Sequence, residues 1–114
     1  MSRRLVLALD LIDDAEAIAA YDRWHSVGVH PPAVQAALRA GGILEMEIWR
    51  TANRLVMLVD VVDDFSWEAL AARDRDNPDV QNWGAMIGRL QQPIPGAEPS
   101  WSAMTPVYRM TDHA

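Results

Sequence analysis

Tyr21 and His25 lie four residues apart, just before the His30-Pro31-Pro32 break. On a helix that spacing puts both side chains on one face, within reach of one small ligand. An imidazole titrates near neutrality, at roughly 6.5 when unperturbed, so it can both take and give a proton at working pH. A phenol one turn away can orient the molecule that exchanges it. The chemistry suggested is proton transfer. Read alone, the same two residues have plainer uses: His25 as a helix C-terminal residue favoured by the negative end of the dipole, Tyr21 as core. Trp24 reads as core, His30 as a loop residue, and His113 as part of a frayable tail.

The elements that must position this pair follow from patterning. Leu5, Leu7 and Leu9 alternate with Val6, Ala8 and Asp10 as a strand does. Asp13-Asp14-Ala15-Glu16 resembles a capping box and opens an alanine-rich helix that carries Tyr21 and His25. Gly28 and the Pro31-Pro32 pair end it, and the prolines open a shorter helix through Val34, Ala37 and Leu38 that closes at Gly41-Gly42. Ile43 to Trp49 and Leu55 to Val62 read as antiparallel strands joined by a hairpin. Asp63 and Asp64 are expected to cap a helix containing Phe65, Trp67, Leu70 and Ala71. Asn77-Pro78 opens another, with Val80, Trp83, Ile87 and Leu90 as its apolar stripe. The Pro93 to Pro99 stretch excludes helix, and a closing strand is expected from about Ala103 to Met110.

Strand, helix pair, strand, strand, helix pair, strand is an α+β plan. It is the ferredoxin-like split βαβ arrangement, with four antiparallel strands and the helices on one face of the sheet. The chain reads as one domain, residues 1–114. Strands such as Leu55 to Val62 are apolar at most positions on both faces, so the second face also needs a cover. A symmetric homodimer, sheet against sheet in a dimeric α/β-barrel type assembly, is the economical solution.

Composition narrows the function. A net charge of -6 and a pI near 4.8 exclude a basic stripe for phosphates, so no nucleic-acid partner is expected. With no cysteine there is neither a disulfide framework nor a thiol nucleophile or thiolate metal site, which fits a cytoplasmic setting. The apolar run after Met1-Ser2-Arg3-Arg4 stops at Asp10, too short for a signal peptide or a membrane span. The acidic pairs Asp13-Asp14 and Asp63-Asp64 are poor metal sites, because adjacent carboxylates rarely converge.

Certain residues, taken in order, carry a resemblance. They are Tyr21-Asp22-Arg23-Trp24-His25, Pro32, the Gly42 turn, Asn53 with Leu55, Val59-Asp60, Trp67, and Val80-Gln81-Asn82-Trp83 with Met86. The chain resembles the L-rhamnose mutarotase family, small ferredoxin-like dimers that interconvert the anomers of 6-deoxy sugars. The resemblance implies that His25 is the acid/base residue and that Tyr21 and Trp83 hold the sugar. It also marks departures. His30-Pro31-Pro32 stands where the family has Trp-Pro, Met46 where it has a second-strand tyrosine, and Asn82-Trp83 where it has Trp-Trp. Asn82 would offer an amide to the substrate, His30 another polar contact, Met46 a contact in place of the tyrosine, and Asp60, by its strand position, a carboxylate to orient or relay.

These departures lie where the sugar would be held, so L-fucose and L-rhamnose both stay open as substrates. Anomerisation needs no metal and no organic cofactor. Three other readings fit the residues: a small ferredoxin-like monooxygenase, a non-enzymatic ligand-binding module, and a haem protein with His25 as axial ligand.

Overall fold

Alternation and register build the sheet. In this computed structural model, which describes residues 2–113, β1 (Ser2–Leu11) and β3 (Arg54–Val62) run antiparallel from Ser2↔Val62 to Asp10↔Arg54. Their alternate residues Leu7, Leu9 and Leu11 meet Leu55, Met57, Val59 and Val61, all buried, on one face of the sheet. The hairpin partner β2 (Ile43–Thr51) pairs along β3 with a bulge between Ile43 and Glu45. That extra residue switches the parity of the strand. Ile43 on one side of it and Met46 and Ile48 on the other therefore reach the same core.

Among the described residues, three of the four α-helices start where the sequence places a cap or a proline. Asp14 accepts from the Ala17 amide at 3.0 Å and opens α1 (Ala15–Trp24). Pro32 begins α2 (Pro32–Ala40), and Asn77 caps α4 (Pro78–Gly88) through the amides of Asp79 and Val80. The cap of α3 (Trp67–Asp74) differs from the expectation. Ser66, not Asp63 or Asp64, accepts from the Ala69 amide at 3.0 Å, and Phe65 is buried ahead of the helix.

Two glycines fix the α2–β2 corner for different reasons. Gly42 has φ of 102°, which L side chains avoid, whereas a Cβ on Gly41 would lie 2.1 Å from Leu70 Cδ1.

The last part of the chain corrects the sequence reading. Instead of one strand over 103–110 there are two short ones, β4 (Gln91–Gln92) and β5 (Ser102–Ala103), both paired with β1. Sheet order is β2-β3-β1-β4, the split βαβ order, with β5 extending the same edge. Beyond the Met104 amide, which donates to the Val6 carbonyl at 2.8 Å, residues 105–113 form an exposed arm ending in a 3₁₀ turn at Met110–Asp112. Pro106 cannot donate to a ladder, and among the described residues no strand pairs with the arm. The arm stretches the molecule: its radius of gyration is 15.0 Å, against about 13 Å for a compact chain of this length.

Among the described residues, no helix is long and apolar enough to cross a membrane.

Candidate active site

The end of α1 is built to hold an imidazole. Its last turn tightens, with the His25 amide donating to Asp22 at 3.3 Å and the Ser26 amide to Arg23 at 3.2 Å. The Tyr21 carbonyl, which would have taken the His25 amide in a continuing helix, instead accepts from His25 Nδ1 at 2.7 Å. A carbonyl oxygen can only accept, so Nδ1 carries its proton and Nε2 is the nitrogen left to exchange one. The ring also stacks on Tyr21, centroids 4.2 Å apart, and meets the edge of Trp83 at 5.2 Å. His25 is both helix C-cap and part of a site.

Three further elements close around it. The loop after α1 folds back through Gly28, at φ of 83°, with the amides of Val29 and His30 both directed to the Ser26 carbonyl. This sets the His30 ring edge-on to Trp83 at 4.7 Å and 5.9 Å from His25. From β2, Met46 lies in the wall, where the bulge puts it. From the far end of the chain come Gln91 and Trp101. Together they line a cavity of about 640 Å³, within the range of small-molecule sites. A side lobe of about 470 Å³ shares both histidines and Met46 and opens past Gln35, Arg39 and Glu45.

Electrostatics follow from burial. The Tyr21 hydroxyl is pushed up to about 12 by desolvation, against the opposing effect of a hydrogen bond from Gln91. It stays a neutral phenol at any working pH. Desolvation also lowers the pKa of His25 below its ordinary 6.5, although its bond to the Tyr21 carbonyl and the nearby Asp22 carboxylate oppose the shift. His30 is lowered by desolvation first and by His25 second. Both imidazoles are therefore mainly neutral at pH 7, and His25 presents Nε2 as a base.

Of the residues expected from sequence, Tyr21, His25, Met46 and Trp83 meet at this cavity. Asn82 and Asp60 do not. Asn82 follows the α4 surface into solvent, because neighbouring helix positions diverge by about 100°. Asp60 lies on the opposite sheet face from Val59 and Val61, where the Arg4 guanidinium at 2.9 Å holds its carboxyl below the usual carboxylate range. His30, read from sequence as a loop residue that could add a polar contact, is in the wall. So is Asp74, a buried carboxylate whose Oδ1 accepts from Arg73 at 2.9 Å. Trp101, Gln91 and Asp74 carried no signal in the sequence, because each reaches the cavity only through tertiary packing. Among the described residues, no cluster of three His, Cys, Asp or Glu side chains could hold a metal ion.

Comparison with known proteins places the chain in a family. A family model described as L-rhamnose mutarotase matches residues 4–110. The L-fucose mutarotase of Xanthomonas campestris pv. campestris is 41% identical over 112 residues, covering 96% of this chain and 90% of that protein. Among solved structures, the L-rhamnose mutarotase of Formosa agariphila aligns with a TM-score of 0.66 at 21% identity, over 95% of this chain and 98% of that one. Tetracenomycin F2 cyclase of Streptomyces glaucescens aligns at 0.53 and 19% identity, over 94% and 95%. At these identities the two structures speak to the fold alone, whereas the sequence matches cover nearly the whole chain. The chain belongs to the L-rhamnose mutarotase family.

Proposed function

We propose that this protein interconverts the α and β anomers of a 6-deoxy hexose, with L-fucose the preferred substrate. One observation carries the reading: a histidine tied through Nδ1 stacks on a buried tyrosine and abuts a tryptophan in the wall of one cavity. Opening a pyranose requires removal of the anomeric hydroxyl proton and delivery of a proton to the ring oxygen. The freed aldehyde then turns and recloses on its other face. Neutral His25 takes the hydroxyl proton through Nε2. Tyr21, neutral and held by Gln91, donates a hydrogen bond to the sugar, while Trp83 offers its face to the apolar side of the ring. The aliphatic wall formed by Val34, Leu38, Met46 and Ile48 suits the methyl group of a 6-deoxy sugar. L-Fucose is preferred because the 41% identical relative is an L-fucose mutarotase.

The reading includes a homodimer. Leu44 and Trp49 on the sheet are 56% and 62% exposed, and Val107, Tyr108 and Met110 on the arm are 95%, 68% and 78% exposed. Apolar side chains this open are expected to be covered by a second copy.

Saturation-transfer NMR on the anomeric protons of L-fucose and L-rhamnose tests the proposal. Accelerated exchange on L-fucose, weaker on L-rhamnose, is the expected result. Equal rates would refute the preference for L-fucose, and no acceleration on either sugar would refute the function.

A further inference from the structure

The reaction moves two protons, one at the anomeric hydroxyl and one at the ring oxygen, and these oxygens share a single carbon. His25 has only one nitrogen to offer, because Nδ1 is committed to the Tyr21 carbonyl at 2.7 Å. While Nε2 is accepting a proton from one oxygen, it cannot deliver one to the other. A second donor must face the same point.

The candidates in the wall are few. The Tyr21 hydroxyl is a very weak acid in its desolvated position. Asp74 is held by Arg73, and the Gln81 amide donates to the Asp74 carbonyl at 2.9 Å. Gln91 does not titrate. His30 remains. Its ring is 5.9 Å from that of His25, tilted 42° to it, and among the described residues neither ring nitrogen has a hydrogen-bond partner. Both imidazoles meet Trp83 edge to face, His25 at 5.2 Å and His30 at 4.7 Å, so one indole sets the spacing of the pair. The turn at Gly28 and the following Pro31-Pro32 fix the backbone from which His30 projects.

Resting on the mutarotase reading, we propose that His30 is the second acid/base of the reaction. Imidazolium His30 gives its proton to the ring oxygen as neutral His25 takes the anomeric hydroxyl proton. The bond between the anomeric carbon and the ring oxygen breaks, and the carbonyl forms. After the aldehyde turns, the former ring hydroxyl attacks the carbonyl carbon and returns its proton to His30, while His25 returns its proton to the carbonyl oxygen. The pair starts and ends with one proton, and no electrons leave the sugar.

The charged groups around the pair are Asp22, which is tied to Arg50 at 2.6 Å, Arg39 and Glu45 at the side lobe, and Asp74 with Arg73 at the far wall. Repulsion between the two imidazoles disfavours the doubly protonated state. Because the step uses one proton on the pair, the singly protonated pair is the active form, and the rate should rise and then fall with pH.

The test is anomer exchange on L-fucose from roughly pH 5 to 8 with wild type, His30→Asn and His30→Phe. Phenylalanine keeps an aromatic edge against Trp83 but carries no proton, so it separates packing from chemistry. Both variants are expected to lose at least tenfold in kcat, with KM for His30→Phe near wild type, and the two-sided pH profile is expected to become one-sided. A His30→Phe rate within about twofold of wild type, or an unchanged two-sided profile, overturns the role of His30 while leaving the mutarotase reading intact. Wild type that accelerates neither L-fucose nor L-rhamnose overturns that reading first, and the role of His30 with it.

Discussion

Replacing His25 by asparagine removes the proposed base while keeping its anchor. The asparagine Nδ2 occupies nearly the place of the imidazole Nδ1, so it can still donate to the Tyr21 carbonyl, now held at 2.7 Å. Asparagine is also acceptable at a helix C-terminus. What disappears is Nε2 and the ring contacts, the two closest being those at 4.2 Å to Tyr21 and 5.2 Å to Trp83. Aromatic pairs contribute about 0.5–1.5 kcal/mol each, so the unfolding free energy should fall by about 1–3 kcal/mol. A domain with a typical stability of about 5–15 kcal/mol stays folded. The rate should fall much further. General acid-base catalysis supplies about 10²–10⁴-fold, equivalent to about 2.7–5.4 kcal/mol of barrier. Because Tyr21 and Trp83 remain, the loss should lie in kcat, with KM nearly unchanged. Exchange NMR on L-fucose, paired with a urea melt, separates the two effects. A variant that keeps more than about a tenth of the wild-type kcat, or whose loss lies wholly in KM, would refute the assignment of His25 as the base.

Other expectations follow from the same geometry. Trp83→Ala uncovers both imidazoles, and since burial is what lowers their pKa, the acid limb of the rate profile should move up toward 6.5, with KM raised by loss of the sugar platform. An unshifted limb would show that Trp83 does not desolvate them. Protein stability should rise with pH up to about 6.5. Each histidine has a folded pKa below its unfolded one, so the unfolded chain binds more protons in acid, and the penalty vanishes once pH passes the unfolded value. His25→Asn combined with His30→Asn should flatten this slope in melts taken across that range. Deleting residues 104–113 removes the exposed Val107, Tyr108 and Met110 and should shift the protein toward monomer in light scattering. An unchanged mass would show that the arm contributes nothing to assembly.

Local chemistry made much of this molecule legible in its sequence. Asp14, Asn77-Pro78 and the Gly42 corner announce helix ends because capping and positive φ are properties of a few adjacent residues. The alternation in β1 and β3 announces the buried face in the same way. Asp63-Asp64 misled because acidic charge near a helix start resembles a cap, whereas the hydroxyl that reaches the Ala69 amide belongs to Ser66. The closing strand was misplaced because the composition of 103–110 resembles a strand, while among the described residues after α4 the pairing with β1 lies at Gln91–Gln92 and Ser102–Ala103.

The site shows the same division. Tyr21 and His25 were readable because one helix turn joins them, and the resemblance supplied Trp83. The resemblance also supplied Met46, whereas His30 depended on a loop folding back, and Trp101 and Gln91 on the chain after α4 returning to β1, neither of which has a local signature. Asp60 was assigned by strand position without its face, and parity puts it with Arg4 instead.

The most direct test of the central claim is polarimetry on a freshly dissolved single anomer of L-fucose with substoichiometric protein. The account predicts that the rotation relaxes to the same equilibrium value much faster than in buffer alone, and that His25→Asn abolishes the acceleration. An unaltered relaxation time with folded wild-type protein would contradict it.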